Sequence, residues 1–155
     1  MISPTELSTD VIEKYFAAIS AGDNDTVRDL IASQRGLTQV KKRGAEYRYD
    51  PSYELDAYKF LGAYLGQLTG LHLALLLGHD SIARDILDVT FDQDLHQTFG
   101  DNNTTLHLAA FMENHEVVES LIARGADPSA KNGKGFTPLD VSAEEKISSL
   151  ISKTK

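Results

Sequence analysis

Apolar side chains recur at helical spacing in several short segments of the chain. In residues 117–122 the apolar positions lie one, three and four apart, so they share one face of a helix. The same pattern occurs 35 residues earlier, in residues 82–87, and 56 residues before that, in residues 26–31. A shortened copy follows in residues 147–151. The pattern predicts a series of similar amphipathic helices.

A short sequence motif comes before three of these segments. Thr104–Ala110 reads TTLHLAA, Thr137–Ala143 reads TPLDVSA 33 residues later, and Thr69–Ala74 reads TGLHLA. A period of 33 residues with the signature T-P-L-H-x-A is typical of ankyrin repeats. The chain therefore resembles the ankyrin-repeat family over about residues 11–35 and 67–153.

Capping chemistry supports the same helix boundaries. Thr104 and Thr137 suit helix N-caps, where a hydroxyl accepts a backbone N–H that has no partner in the helix. Pro138 suits the first helical position, and Gly125 suits a left-handed carboxyl cap. Residues 132–135, Asn-Gly-Lys-Gly, predict a turn.

The resemblance implies an all-α fold, an ankyrin-repeat solenoid of stacked helix-turn-helix units with β-turn fingers. One helix pair cannot bury its apolar face alone, so neighbouring repeats must stack. We expect a single domain over residues 1–155, with an insertion at 36–66. The repeat-like segments are 11–35, 67–98, 99–131 and 132–153.

The insertion has no ankyrin motif and is rich in tyrosine and basic residues. An Asp50-Pro51 step divides it, residues 41–49 suggest an elongated finger or a loop, and residues 52–65 could form a helix. Two interpretations stay open: the insertion packs back on the solenoid, or it forms an aromatic, basic contact surface for a partner. Its candidate contacts are Arg43, Tyr47, Tyr49 and Tyr53. The predicted helix would place Leu55, Tyr58, Leu61 and Leu65 on one side.

The resemblance also implies where a partner would bind, on the fingers and on the concave face formed by the inner helices. The candidate residues are Leu76, Leu77, Asp101, Asn103, Phe111, Met112, Lys134 and Phe136. Exposed positions of such helices are usually polar, so the apolar members of this set predict an interaction patch. The alternative is that the insertion covers them and makes them part of the core.

The charge and the residue types argue against several other functions. The chain carries a formal charge of -8, which opposes binding to nucleic acid or to anionic membranes. It has no cysteine, and its five histidines show no metal-binding spacing. Residues 92–97 begin like a calcium loop, but His96 and Gln97 break the match. With no catalytic or nucleotide-binding motif present, we predict a protein that is not an enzyme and needs no cofactor.

These observations predict a protein–protein interaction module that acts as an adaptor or scaffold. The alternative is a stoichiometric regulator, either an inhibitor or a dedicated chaperone, that masks one client protein. We expect a monomer with a protein partner, without nucleic acid or membrane contact, in the cytoplasm or the nucleus. Residues 1–10 do not resemble a secretory signal, and Met1 is consistent with a true start.

Overall fold

Helix pairs form where the apolar pattern repeats. The computed structural model describes residues 8–43 and 47–142. Its α-helices are α1 (Thr9–Ala21), α2 (Asn24–Ser33), α3 (Glu54–Phe60), α4 (Gly70–Leu77), α5 (Asp80–Val89), α6 (Thr105–Phe111), α7 (His115–Ala123) and α8 (Pro138–Val141). Its strands are β1 (Lys41–Arg43), β2 (Gln67–Thr69), β3 (Thr98–Phe99) and β4 (Asn103–Thr104). The apolar segment at 147–151 lies outside the described residues.

Three threonines begin the inner helices in the same way. The hydroxyls of Thr69, Thr104 and Thr137 each accept the backbone N–H three residues later. The side chain at that later position accepts the threonine N–H in return, which closes a reciprocal cap. The predicted N-caps at Thr104 and Thr137, and Pro138 as the first helical residue, are therefore confirmed.

The histidines of the motif connect neighbouring repeats. In His72 and His107, Nδ1 accepts a threonine N–H, so Nε2 carries the proton. His72 donates that proton to Thr105 Oγ1 at 2.9 Å, and His107 donates to the Phe136 carbonyl at 2.8 Å. Burial lowers the pKa of His72 to about 3 and also lowers that of His107, so both rings are neutral at pH 7.

The helix pairs stack along two rows. Inner helices α1, α4, α6 and α8 pack in succession, and so do outer helices α2, α5 and α7. Ion pairs join the outer row, with Arg28 Nε 2.8 Å from Asp85 Oδ2 and Arg84 paired with Glu116. Arg124 donates to the Leu87 carbonyl at 2.8 Å, which gives this carbonyl in the last turn of α5 a hydrogen-bond partner. The fold class predicted from the motifs is therefore confirmed.

The insertion begins at the tip of the first finger. β1 pairs with β2 and β3 pairs with β4, both antiparallel. In the first finger 28 positions separate the paired Lys41 and Thr69, whereas 6 separate Thr98 and Thr104 in the second, a difference of 22. The turn of 3-10 helix before β1 has a counterpart before β3. The pattern is therefore interrupted after Arg43, later than the predicted boundary at residue 36.

The helix of the insertion is shorter than predicted, and it buries a different face. α3 ends at Phe60, and Gly62, at φ +94°, turns the chain away. Ala57 and Leu61 are fully buried, whereas Leu55 is 81% exposed. The predicted common face of Leu55 with Leu61 and Leu65 is therefore wrong: Leu55 faces solvent, Leu61 is buried, and Leu65 is buried beyond the end of α3.

Candidate protein-binding surface

The insertion lies across the inner helices and the later fingers. The Tyr53 hydroxyl donates to the Leu76 carbonyl at 2.9 Å, and its ring meets Phe111 edge to face at 5.8 Å. Phe60 makes a similar contact with Phe136 at 5.2 Å. Much of the surface that a partner was expected to use is therefore in contact with the chain itself.

Two asparagines fasten the end of α3 to the second and third fingers. Asn103 Nδ2 donates to the Leu61 carbonyl at 2.9 Å, and Asn132 Nδ2 donates to the Phe60 carbonyl at 2.8 Å and to Asn103 Oδ1 at 2.8 Å. Asn132 Oδ1 accepts the backbone N–H groups of Lys134 and Phe136, both at 3.0 Å. Both side chains are buried. They satisfy carbonyls that the end of a helix leaves without partners.

The predicted contact residues fall into three groups by exposure. Leu76, Asn103 and Tyr49 are buried at 2%, 0% and 3%, so the prediction that they are accessible is wrong. The burial of Leu76 agrees with the alternative interpretation, in which the apolar contact residues belong to the core, whereas Asn103 bonds to the Leu61 carbonyl and Tyr49 lies in the insertion itself. The half-buried residues are Tyr47, Tyr53, Asp101, Phe111, Met112 and Phe136, and the exposed ones are Arg43, Leu77 and Lys134.

An apolar edge stays accessible at the carboxyl ends of the inner helices. It consists of Leu77, which is 36% exposed, with the half-buried Phe111 and Met112. Leu77 ends α4, and Met112, 35 residues later, follows the last residue of the adjacent α6. The apolar edge therefore runs across two repeats. Leu55, two residues from Tyr53, is also exposed; it is not among the predicted contacts, because the predicted helix groups it with Leu61 on one side.

A basic cleft opens between the insertion and the first two fingers. Its volume is about 740 Å³, and its described lining includes no aspartate or glutamate. The cationic residues are Lys41, Arg43 and Arg48, and the tyrosines are Tyr47, Tyr49, Tyr58 and Tyr64. Three of the four predicted insertion contacts line it. Tyr53 does not, because its side chain reaches the inner helices instead.

The polar groups of the basic cleft are held in defined positions. Lys41 Nζ donates to the Thr98 carbonyl at 2.7 Å, and the Tyr49 hydroxyl donates to the Gly62 carbonyl at 3.1 Å. Burial raises the pKa of Tyr49, and the hydrogen bond to Glu54 raises the pKa of Tyr58. Both phenols are therefore neutral at pH 7, and the cleft carries positive charge from its lysine and arginines.

The described part of the chain offers neither a metal-binding cluster nor a membrane-spanning helix. Within residues 8–43 and 47–142, no three histidine, aspartate or glutamate side chains come together in a way that could hold a metal ion. No helix in those ranges combines the length and the apolar character needed to cross a membrane.

Stacked helix pairs joined by fingers define the class of α-helical repeat solenoids. A family model described as ankyrin repeats (3 copies) matches residues 15–132 and, overlapping, residues 71–152. The chain belongs to the ankyrin-repeat family, whose repeats are generally protein–protein interaction modules and generally not catalytic.

Several curated proteins are similar to parts of this chain. Palmitoyltransferase AKR1 of Lachancea kluyveri is 29% identical over 133 residues, 85% of this chain and 15% of that protein. Nuclear factor NF-kappa-B p105 subunit of Rattus norvegicus is 33% identical over 120 residues, 69% of this chain and 12% of that protein. Alpha-latrotoxin-Lg1a of Latrodectus geometricus is 33% identical over 58 residues, 37% of this chain and 4% of that protein. The chain thus spans a small fraction of each relative.

Proposed function

We propose that the chain is a non-catalytic adaptor or scaffold that recruits a protein partner through the apolar edge. The observation that carries this proposal is the exposure of Leu77, a large apolar side chain, beside Phe111 and Met112. Contiguous apolar surface on a folded domain marks an interaction site more often than scattered apolar residues do. The half-buried Asp101 and Phe136 and the exposed Lys134 on the fingers would form the polar and aromatic margin of that contact.

The insertion already covers part of the fingers and of the inner helices. The insertion bonds to the Leu76 carbonyl and to Asn103 and packs against Phe136, so a partner would meet a smaller surface than the bare solenoid offers. That surface is assembled before binding, because hydrogen bonds already hold the insertion. A partner would then not bear the cost of ordering the segment.

The test is affinity capture from a native extract, with mass spectrometry, using the wild-type chain and Leu77→Asp. We expect Leu77→Asp to lose specifically captured proteins while keeping its helical circular dichroism, because Leu77 is not a core residue. Phe91→Asp is the matched control: Phe91 is 53% exposed and follows the outer helix α5, away from the apolar edge. Equal capture by Leu77→Asp and wild type would refute the apolar edge as the binding surface.

The adaptor role has its own test once a captured protein is identified. An adaptor should hold two proteins in one complex, which size-exclusion chromatography with light scattering would detect. That measurement also tests the monomeric state that we propose for the free chain. Competition with the client's normal ligand, and no ternary complex, would instead show a stoichiometric regulator that masks one client. Action in the cytoplasm or the nucleus is part of the same proposal, and imaging of the tagged chain would check it.

A further inference from the structure

We propose that the basic cleft binds an acidic segment of a partner protein, with aspartate or glutamate side chains opposite Lys41, Arg43 and Arg48. The inference rests on the proposed function, because it names the chemistry of the partner. It concerns a surface separate from the apolar edge. A recruited protein could therefore occupy one surface or both.

The distribution of charge in the basic cleft favours an acidic ligand. The chain has 23 acidic and 15 basic residues, yet three basic residues and no acidic one line the described walls of this cleft. In the part of the chain that the structure describes, the guanidinium groups of Arg43 and Arg48 make no hydrogen bond or ion pair, although the Arg43 backbone pairs with Gln67 in the first finger. A guanidinium presents several N–H donors in a planar fork that matches a carboxylate. The two arginines are therefore available to bind carboxylates.

A fixed lysine and free tyrosine hydroxyls line the basic cleft. Lys41 is half-buried and held by the Thr98 carbonyl, so its charge stays in place without a ligand. The ring of Tyr64 is 70% exposed, and its hydroxyl, like that of Tyr47, makes no hydrogen bond within the described chain. A neutral phenol can donate to a carboxylate and offers a rigid contact at low entropic cost. The tyrosines would thus add directional contacts to the attraction between charges.

Size and screening favour a short acidic segment over a nucleic acid. A cleft of about 740 Å³ falls within the range that encloses a ligand of a few side chains. At physiological ionic strength charges are screened beyond about 8 Å, so carboxylates inside the cleft feel its cations more than the acidic residues farther away. Glu54 lies beside the cleft, where its carboxylate accepts a hydrogen bond from the Tyr58 hydroxyl at 2.8 Å, so one acidic residue at the margin stands against three cations. A nucleic acid would extend beyond three cations and meet the negative remainder of the chain. We therefore assign the cleft to peptide carboxylates.

The test uses the full chain and a fluorescein-labelled hexaglutamate peptide, with anisotropy as the readout. We expect saturable binding that weakens with salt, and no binding of the matched hexaglutamine peptide. The double variant Arg43→Glu with Arg48→Glu should weaken binding by about tenfold or more, because two charge-assisted contacts are lost and two carboxylates take their place. The control, Arg35→Glu with Lys131→Glu, changes the net charge equally at exposed positions outside the cleft and should bind as the wild type does.

Three results would overturn the inference. They are no binding of hexaglutamate, equal weakening by the control variant, or tighter binding of labelled oligothymidylate that is lost in the Arg43 and Arg48 variant. The last would identify a nucleic-acid site instead. Failure here is distinguishable from failure of the proposed function, because Leu77→Asp should leave hexaglutamate binding unchanged. Loss of extract capture in Leu77→Asp would stand even if the peptide did not bind.

Discussion

The first and second fingers begin as the same hairpin and end as different structures. Both place an antiparallel strand pair before a threonine that caps an inner helix. The second finger closes at once through Gly100 and Asn102, both at positive φ. The first carries 22 further positions, and the end of α3 among them bonds to the second and third fingers. The comparison shows that a repeat tolerates a long addition at its finger tip when distant side chains hold the added segment.

Removal of Asn132 should have the largest effect on this arrangement. Asn132→Ala leaves the Phe60 carbonyl, the Asn103 amide and two N–H groups of the third finger without their buried partner. We expect the free energy of unfolding to fall by about 3 kcal/mol, because unsatisfied buried groups cost about 1–3 kcal/mol each and some would reach water. Urea unfolding measures the change.

The control for that variant is Lys131→Ala, at an exposed neighbouring position. It should change the unfolding free energy by less than about 0.5 kcal/mol. Equal losses in the two variants would show that the asparagine does not fasten the insertion.

The residue that follows the capping threonine also differs between the first and second fingers, and Gly70→Thr tests that difference. Gly70 follows Thr69, whereas Thr105 follows Thr104. A Cβ atom at Gly70 would come within 2.6–2.7 Å of ring carbons of the buried Tyr15. Gly70→Thr should therefore cost about 2 kcal/mol of stability through overpacking, as measured by urea unfolding.

The second measurement repeats Gly70→Thr in a Tyr15→Leu background. A smaller side chain opposite position 70 should reduce the cost of the threonine, which a double-mutant cycle would report as favourable coupling. Additive costs would mean that the clash with Tyr15 is not the reason for glycine.

Acidification should weaken the contacts of His72 and His107 with the next repeat. The folded pKa of His72 is lowered to about 3, against about 6.5 in an unfolded chain. Between these values the unfolded state binds a proton that the folded state does not. Stability is therefore complete above about pH 6.5 and is lost as the pH falls.

Between pH 7 and pH 5 we expect His72 alone to cost about 2 kcal/mol, with His107 adding in the same direction. Urea unfolding at several pH values measures the slope, and NMR titration follows each ring. A His72 resonance that titrates near pH 6.5 in the folded protein would contradict the assignment of a neutral, buried ring.

The smallest expected effect comes from the hydroxyl of Tyr53. Tyr53→Phe keeps the ring against Phe111 and removes only the hydrogen bond to the Leu76 carbonyl. We expect a loss of about 1 kcal/mol in the free energy of unfolding. In the control Tyr64→Phe, an exposed tyrosine of the same segment loses its hydroxyl, and stability should not change. A larger loss in the control would reverse the roles assigned to the two tyrosines.

The candidate surface was only partly predictable from sequence. Leu77, Phe111 and Met112 follow from their places in the motif, and the structure keeps all three at least partly accessible. Leu76 and Asn103 are bonded to Tyr53 and Leu61 of the insertion, which lie 23 and 42 positions earlier in the chain. No periodicity relates such distant positions. The gathering of Lys41, Arg43 and Arg48 around one cleft arises in the same way, from the path of the insertion.

The amino-acid sequence by itself determined the repeats, the capped starts of the inner helices and the apolar face of each outer helix. These features depend on residues three, four or about 33 positions apart, where spacing and side-chain chemistry act directly. Only the tertiary structure decided the course of the insertion, the face that α3 buries and the position of the basic cleft. Those depend on hydrogen bonds such as that from Asn132 to Phe60, 72 positions apart, whose partners become neighbours only after the repeats have stacked.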